Sequence, residues 1–140
     1  MYTKIYVDGL PEDAKEIRKA VFMIEQGFQN EFDEIDDEAA HLVIYDEKQV
    51  PIAACRVFKK HELGTCCIGR LAVLREYRGK NIGAYAIKEA ERYASDQGCH
   101  RIDLHAQCRV SNFYQKLGFV RYGEEDDDEG CPHIWMRKKI

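Results

Sequence analysis

The sequence predicts an α/β protein whose sheet is mixed and mainly antiparallel. Apolar, β-branched runs follow one another through the middle of the chain, as in a meander of strands. A long segment with apolar residues at helical spacing then separates two further runs of this kind. Parallel strands need such a crossover, usually a helix, whereas neighbouring antiparallel strands need only a turn. The order of segments therefore predicts one parallel pair within an otherwise antiparallel sheet.

The N-terminal half is predicted to form a strand, a helix and a three-stranded meander. "KIYV" predicts a short first strand, and Pro11 then opens a helix that ends at Gly27. The apolar stripe of that helix is Ala14, Ile17, Val21 and Ile24. The acidic residues 28–40 predict a loop with at most one short helical turn. "HLVIYD" and "VPIAACRVFK" flank "EKQ" as a hairpin, and "TCCIGRLAVL" continues the meander.

The C-terminal half is predicted to alternate helices and strands. Residues 82–97 form an amphipathic helix closed by Gly98, and "HRIDLHAQ" forms the next strand. "RVSNFYQKL" predicts a short helix that ends at Gly118. Its apolar positions are Val110, Phe113, Tyr114 and Leu117. "FVRYGEE" and "HIWMRKK" predict two final strands around an acidic turn at 124–129.

Composition excludes several classes of protein. The 140 residues suit one domain, which we take as residues 1–140, and the net charge of -4 argues against a nucleic-acid partner. No apolar run is long enough to span a membrane, and the N-terminus has no apolar core of a secretory signal. We therefore expect a cytoplasmic protein whose six cysteines are reduced thiols. His105 with Cys108, and Cys131 with His133, lack the second half of a zinc site, so we expect no metal.

The junction "LAVLREYRGKNIG" carries the clearest chemical signal. It places a basic, glycine-containing turn between a strand and the N-terminus of the long helix. Free N–H groups and the helix dipole at such a junction attract phosphate oxygens, and small residues let a diphosphate approach. Arg78 and Lys80 add positive charge. The turn alone is equally consistent with a simple helix cap, and it matches neither the Walker nor the Rossmann pattern.

A second motif favours the diphosphate cradle. "NFYQKLGF" follows the strand that comes after the long helix, and with it the sequence resembles GNAT (GCN5-related) N-acetyltransferases over essentially the whole chain. "RGKNIG" resembles that family's acetyl-CoA signature Arg/Gln-x-x-Gly-x-Gly/Ala, "IGRLAV" its central strand and "FYQKLGF" its "LYEKLGF" segment. "VFMIEQG", "DEIDDEAAHLVIYD" and "GCPHIWM" are similar to the small YjcF/ElaA-like branch.

The resemblance implies a fold and a co-substrate. The fold would be a single GNAT-type domain with a sheet of six or seven strands, helices on both faces, and a V-shaped opening between the strands at 66–74 and 101–107. The opening would hold the pantetheine arm of acetyl-CoA. The residues implied in acetyl-CoA binding are Leu71, Ala72, Val73, Arg78, Gly79, Lys80, Asn81, Ile82, Gly83, Ala84 and Gln107. Two of them depart from the family pattern: Asn81 replaces a glycine, and Gln107 replaces an asparagine.

The reaction implied by the resemblance is acetyl transfer to a primary amine by direct attack, with no acyl-enzyme. Tyr114 matches the tyrosine that protonates the departing thiolate, although its place in the apolar stripe also suits a packing role. The residues expected at the acceptor cleft are Glu25, Gln26, Arg70 and His105. Asp33, Glu34, Asp36, Asp37 and His41 are further candidates for the base, and each also suits a solvated loop or a strand end.

The partner implied by the resemblance is a small-molecule or peptide amine. Small members of the family are frequently dimers, so the resemblance also suggests a homodimer. The alternative from another class is a non-catalytic acyl-CoA-binding or regulatory domain of the same fold, which Asn81 and the unassigned base leave open.

Overall fold

A computed structural model describes all 140 residues as strands, helices and short connections. The strands are β1 (Tyr2–Tyr6), β2 (Ala40–Tyr45), β3 (Pro51–Lys59), β4 (Thr65–Val73), β5 (Arg101–Gln107), β6 (Val120–Asp128) and β7 (Cys131–Lys139). The α-helices are α1 (Glu12–Arg18), α2 (Ile35–Glu38), α3 (Ile82–Asp96) and α4 (Ser111–Lys116). A π-helical segment, Lys19–Glu25, extends α1, and 3₁₀ turns lie at Arg75–Tyr77 and Cys108–Val110. No helix combines the length and the apolar character needed to cross a bilayer.

The seven strands form one mixed sheet in the order β1-β2-β3-β4-β5-β7-β6. Every neighbouring pair is antiparallel except β4 and β5, which are parallel and are connected through α3. The predicted crossover is therefore confirmed. The parallel ladder joins only residues 65–67 of β4 to residues 101–103 of β5. Beyond Cys67 and Asp103 the two strands no longer pair, which produces the predicted opening in the sheet.

Helices cover both faces of the sheet. Neighbouring residues of a strand point to opposite faces, and in β2 Val43 packs with Ile17 of α1 whereas Ile44 packs with Ile82 and Ala86 of α3. A third cluster, which contains Leu104, extends the core towards α4. The two layers leave the gap between β4 and β5 flanked by α1 on one face and by α3 and α4 on the other.

A β-bulge interrupts β4 at the point where it leaves β5. Ala54 pairs with Ala72 and Arg56 pairs with Gly69, so Arg70 and Leu71 together face a single residue of β3. Arg70 has a φ of 53°, which is uncommon for a residue with a side chain. Bulges of this kind bend a strand and often lie beside active sites. The bend helps to separate the end of β4 from β5.

Two expectations from the sequence are wrong. Cys66 and Cys99 form a disulfide rather than remaining thiols, because β4 and the end of the α3–β5 connection bring their Cα atoms within 6.0 Å. The acidic segment 124–129 is not a turn: β6 runs through it to Asp128, and the chain reverses at Glu129 and Gly130. Pairing with β7 at Pro132 and His133 extends the strand through the acidic run.

Candidate active site

A cleft of about 570 Å³ opens between β4 and β5 beneath the end of the π-helical segment. The predicted site residues that line it are Glu25, Gln26, Arg70, Leu71, Ala72, Val73, Arg78, Gly79, Asn81, Ile82, Gly83, Ala84, His105, Gln107 and Tyr114. Lys80 is the predicted residue that the cleft wall does not include, and its ammonium lies 5.6 Å from the centre of the Tyr77 ring. The fold thus brings segments far apart in the sequence to one cavity.

The turn before α3 has the backbone shape expected of a cradle. Gly79 and Asn81 have φ values of 80° and 62°, so both lie in the left-handed region. Asparagine tolerates that region better than most residues do, which explains how Asn81 can stand where glycine is usual. A Cβ atom on Gly79 would meet nothing within 4 Å. Asn81 precedes the first turn of α3 without capping it through its side chain, which leaves the helix N-terminus open on this side.

Gly83 has a different reason to be glycine. A Cβ atom there would lie 3.2 Å from Cζ of Phe113 in α4. The missing side chain therefore leaves room for Phe113 of α4, the helix that carries Tyr114, to pack closely against the start of α3. The sequence motif does not distinguish this packing role from close approach to a ligand.

Arg78 is paired with Glu25 across the mouth of the cleft. The two Nη atoms donate to the two Glu25 carboxylate oxygens at 2.5 and 2.8 Å, and Nε donates to the carbonyl oxygen of Val73 at 3.0 Å. The hydrogen bonds from Arg78 lower the pKa of Glu25. Sequence reasoning assigned Arg78 to the co-substrate and Glu25 to the acceptor, whereas the structure shows the two side chains in direct contact.

Gln26 makes the equivalent contact with the other wall of the cleft. Its side-chain oxygen accepts a hydrogen bond of 2.9 Å from Nε2 of Gln107, whose own oxygen accepts one of 3.0 Å from Nε of Arg109. The end of the π-helical segment therefore bridges the opening, with Glu25 held by the turn before α3 and Gln26 held by β5. π-Helical turns recur at functional sites.

Tyr114 reaches the cleft from α4 on the face covered by α3. Its ring packs edge-on against Phe113 and Phe119, with centroid distances of 4.9 and 6.1 Å. Burial raises the pKa of its hydroxyl, and the Cys55 thiol adds to the effect. The hydroxyl therefore stays protonated at neutral and mildly alkaline pH, so it remains a proton donor. The sequence left open whether Tyr114 packs in the core or lies in the cleft, and in the structure it does both.

The face of the cleft beneath α1 carries the polar groups. Arg70 of the bulge donates through Nε to the carbonyl oxygen of Glu31 at 3.1 Å and lies 3.3 Å from a carboxylate oxygen of Asp33. His105 of β5 lies on the same face, and its Nε2 is 2.7 Å from an Asp126 carboxylate oxygen. These contacts place a charged and hydrogen-bonding surface opposite the apolar side that carries Tyr114.

Glu31 is a cleft residue that sequence reasoning missed. Its carboxylate lies 2.8 Å from Nε of Arg18 and 3.1 Å from Nε of Arg70, and the residue is only 4% exposed. Burial raises its pKa, and Arg70 and Arg18 oppose that effect. In the sequence Glu31 is one of several acidic residues in a predicted loop, and nothing in the local pattern separates it from them.

The five other candidates for the base are not part of the cleft wall. Asp33 and Asp36 bind Arg56, at 2.6 and 2.9 Å, while Glu34 and Asp37 are exposed. His41 is buried and its Nε2 is bonded to the carbonyl oxygen of Asp36 at 2.8 Å. Its pKa is lowered by burial. These five residues hold the structure together or face solvent, as the simpler interpretation of the sequence allowed.

Comparison with known proteins defines the class that the fold and cleft indicate. Residues 10–140 match the acetyltransferase (GNAT) domain family. The chain belongs to the GNAT acetyltransferase family, as the sequence motifs predicted.

Individual relatives include proteins of the predicted branch. The Bacillus subtilis protein named uncharacterized N-acetyltransferase YjcF is 34% identical over 130 residues, which are 91% of each chain. Escherichia coli ElaA is 28% identical over 130 residues, 89% of this chain and 84% of ElaA. Its crystal structure superposes with a TM-score of 0.84 over 98% of both chains. An acyl-CoA N-acyltransferase from Pseudomonas aeruginosa is 26% identical and has a TM-score of 0.85 over 98% of both chains.

Proposed function

We propose that this protein is an N-acetyltransferase that moves the acetyl group of acetyl-CoA to a primary amine by direct attack. The observation that carries the proposal is the opening between β4 and β5, which has the left-handed turn before α3 at one end and Tyr114 on its wall. The acceptor would be a small molecule or a peptide with a free amine, and cytoplasm is the expected place of action.

The chain's own geometry fits such a co-substrate. Gly79 leaves open space beside a helix N-terminus, where a diphosphate would be held by backbone N–H groups. The edge of β4 beyond Cys67 has no partner strand on the β5 side, so its peptide groups are available to an extended arm and to a carbonyl oxygen. Leu71, Ala72 and Val73 lie on that edge and line the cleft. Bound acetyl-CoA would supply the activated acetyl group there.

Tyr114 would complete the transfer by giving its proton to the departing sulfur. It is a weak acid in solution, but a thiolate formed beside it in a buried site is a strong acceptor. Glu25 and Gln26 would form the edge across which the amine enters, because they bridge the two walls of the cleft.

Two assays test the proposal together. Isothermal calorimetry with coenzyme A measures binding, and thiol release from acetyl-CoA in the presence of an amine panel, followed by mass spectrometry of the products, measures transfer. We expect binding and acetylation of at least one amine class. Binding without thiol release on any amine would favour the non-catalytic acyl-CoA-binding domain, and no binding at all would contradict both. We also propose a homodimer, because small members of the family are frequently dimers. Light scattering measures the oligomeric state and tests this.

A further inference from the structure

We propose that His105, held by Asp126, is the general base that accepts a proton from the acceptor amine. The inference rests on the proposed acetyl transfer and assigns the step for which the sequence offered no single candidate. Direct attack needs a neutral amine, and most primary amines are protonated at neutral pH. A side chain that receives this proton must reach the attacking nitrogen from the face of the cleft opposite Tyr114.

The position of His105 meets that requirement. It lies two residues beyond Asp103, the last residue of β5 that pairs with β4, so it stands where the strands have just separated. Its side chain lines the cleft and is 29% exposed. Leu104 and Ala106, its neighbours on β5, point into the core on the α3 side. His105 therefore faces the α1 side, where the acceptor would enter.

The hydrogen bond to Asp126 fixes which ring nitrogen is basic. An ionised carboxylate can only accept hydrogen bonds, so Nε2 of His105 carries the proton that it donates to Asp126 at 2.7 Å. The lone pair of a neutral imidazole is then on Nδ1, for which the protein provides no hydrogen-bond donor. A carboxylate in this position also stabilises the imidazolium that forms on proton transfer, as in His–Asp pairs of other enzymes.

The fold builds this pair through an irregularity in β6. Tyr122 pairs with Trp135 and Asp126 pairs with His133, so three residues of β6 face one residue of β7. The bulge brings Asp126 level with β7 at the cleft and next to His105. The imidazole itself stacks on the ring of Trp135 and lies tilted against that of His133, with centroid distances of 4.7 Å to each. Both the plane and the tautomer of His105 are therefore set by its surroundings.

Two rivals are weaker on geometry. Glu31 lines the same cleft and burial raises its pKa, but the residue is only 4% exposed and one of its carboxylate oxygens is already held by both Arg18 and Arg70. His133 has Nδ1 bonded to the carbonyl oxygen of Cys131 at 2.8 Å and has no carboxylate partner to stabilise a positive charge. His105 has the open nitrogen and the carboxylate together.

The proton balance closes with His105 and Tyr114 in complementary roles. Nδ1 of His105 takes one proton from the ammonium group and passes it to solvent. The amine nitrogen then forms a bond to the acetyl carbon, and the bond from that carbon to sulfur breaks. Tyr114 gives its proton to the sulfur, and the second proton that the nitrogen loses, as the amide forms, returns to Tyr114. The sum is one amide, one free thiol and one proton released.

The test uses His105→Ala with an amine that wild type acetylates. We expect kcat to fall by about 10²–10⁴-fold, with the affinity for coenzyme A, measured by calorimetry, unchanged. Added imidazole should restore part of the rate, whereas 1,2,4-triazole, which has a similar shape but is much less basic, should not. Asp126→Asn should give an intermediate loss. His61→Gln, an exposed histidine in the β3–β4 connection, is the matched control and should behave as wild type.

Any other result would overturn the assignment of His105 as the base. If His105→Ala turns over like wild type, or if imidazole gives no rescue while coenzyme A still binds, His105 is not the base. Glu31→Gln and His133→Gln extend the test: a large kcat loss in either one, with His105→Ala still active, moves the base to that residue and overturns this inference alone. If wild type releases no thiol with any amine, the proposed function fails and this inference fails with it.

Discussion

Tyr114 and Arg78 are the residues whose roles depend most on how they sit in the folded chain. The sequence assigned one to acid catalysis and the other to the diphosphate. In the structure Tyr114 is part of an aromatic cluster that also lines the cleft, and Arg78 is bound by a carboxylate of the opposite wall. Substitutions at each position separate packing from chemistry.

Tyr114→Phe should reduce kcat while leaving the affinity for acetyl-CoA nearly intact. Phenylalanine keeps the ring contacts with Phe113 and Phe119, so only the proton donor is lost. General acid catalysis is worth about 10²–10⁴-fold, which steady-state kinetics resolves easily. Tyr93→Phe is the matched control, because Tyr93 packs against the same core without lining the cleft. Equal turnover of Tyr114→Phe and wild type would mean that solvent protonates the thiolate.

Glu25→Gln should tighten the binding of coenzyme A. The diphosphate and the Glu25 carboxylate compete for the Arg78 guanidinium, and a neutral amide in place of that carboxylate would release the guanidinium without changing the size of the side chain. The Arg78 and Glu25 side chains are 39% and 23% exposed, and partly exposed ion pairs are worth at most about 1 kcal/mol. Calorimetry should therefore show a Kd lower by up to about fivefold.

Arg78→Ala is the companion variant and should act in the opposite direction. It removes a charged donor to the diphosphate, which is worth about 1.5–3 kcal/mol when shielded and less when water screens it. The KM for acetyl-CoA should rise more than kcat falls. Weaker binding of coenzyme A by Glu25→Gln would show instead that the pair is needed to hold the cleft together.

At the scale of elements, a buried network ties α1 and α2 to the bulge of β4. Its members are Arg18, Arg56, Arg70, Glu31, Asp33 and Asp36. Arg18 and Arg56 both contact one Asp36 oxygen, at 2.7 and 2.9 Å. The network holds the Arg70 side chain, and with it the left-handed backbone that bends β4 away from β5. Charges in the predicted acidic loop thus help to shape the cleft.

Asp36→Asn should destabilise the fold strongly. Asparagine has the same size but leaves Arg18 and Arg56 without a shared anion, and breaking a buried ion pair costs about 3–5 kcal/mol. Urea unfolding measures the change. Asp37→Asn changes the next residue of α2, which is exposed, and should stay within about 0.5 kcal/mol of wild type. Similar midpoints for the two variants would mean that the network adds no net stability.

The elements were predictable from the sequence because their signals are local. Apolar spacing and glycine positions predicted most helices and strands close to their observed bounds, and the turn before α3 was recognised from six consecutive residues. Ile24, predicted on the apolar stripe of the first helix, was wrong: it lies in the π-helical segment and is 82% exposed. The Cys66–Cys99 disulfide, the β6 strand through the acidic run and the Glu25–Arg78 pair were not predictable. Each joins residues that only the fold brings together, and short patterns carry no information about such contacts.

At the scale of the whole molecule, Asp103 connects several strands beneath the cleft. It lies on β5 and accepts hydrogen bonds from Arg137 of β7, from Tyr122 of β6 and from Lys60, which follows β3. Burial alone would raise its pKa, but the hydrogen bonds from Arg137 and Lys60 hold it at about 2. Asp36 of the buried network also has a pKa of about 2, because the effect of burial is outweighed there by hydrogen bonds from Arg18 and its neighbours. Stability should therefore depend on these two carboxylates being ionised.

Acid should unfold the protein through these groups. A carboxyl group whose pKa is lower in the folded chain than its ordinary 3.8 contributes stability above that value, and the contribution is lost as the pH falls towards 2. For Asp103, the difference between the ordinary pKa of 3.8 and the folded pKa of about 2, at about 1.4 kcal/mol per pKa unit, corresponds to roughly 2 kcal/mol of stability. Glu31 works in the opposite sense because its pKa is raised, so protonating it in acid relieves part of the cost of burial.

Urea unfolding of wild type and Asp103→Asn at pH 7, 5, 4 and 3 tests this expectation. The variant should be less stable than wild type at pH 7 and at pH 5, by an amount that changes little between them. The gap should narrow from pH 4 to pH 3, because unfolded wild type then takes up a proton at Asp103, whose ordinary pKa is 3.8, whereas the folded protein takes it up only near pH 2. A gap that stays constant down to pH 3 would show that the loss comes from the shape of the substituted side chain, and that the charge of Asp103 does not hold β3, β6 and β7 to β5.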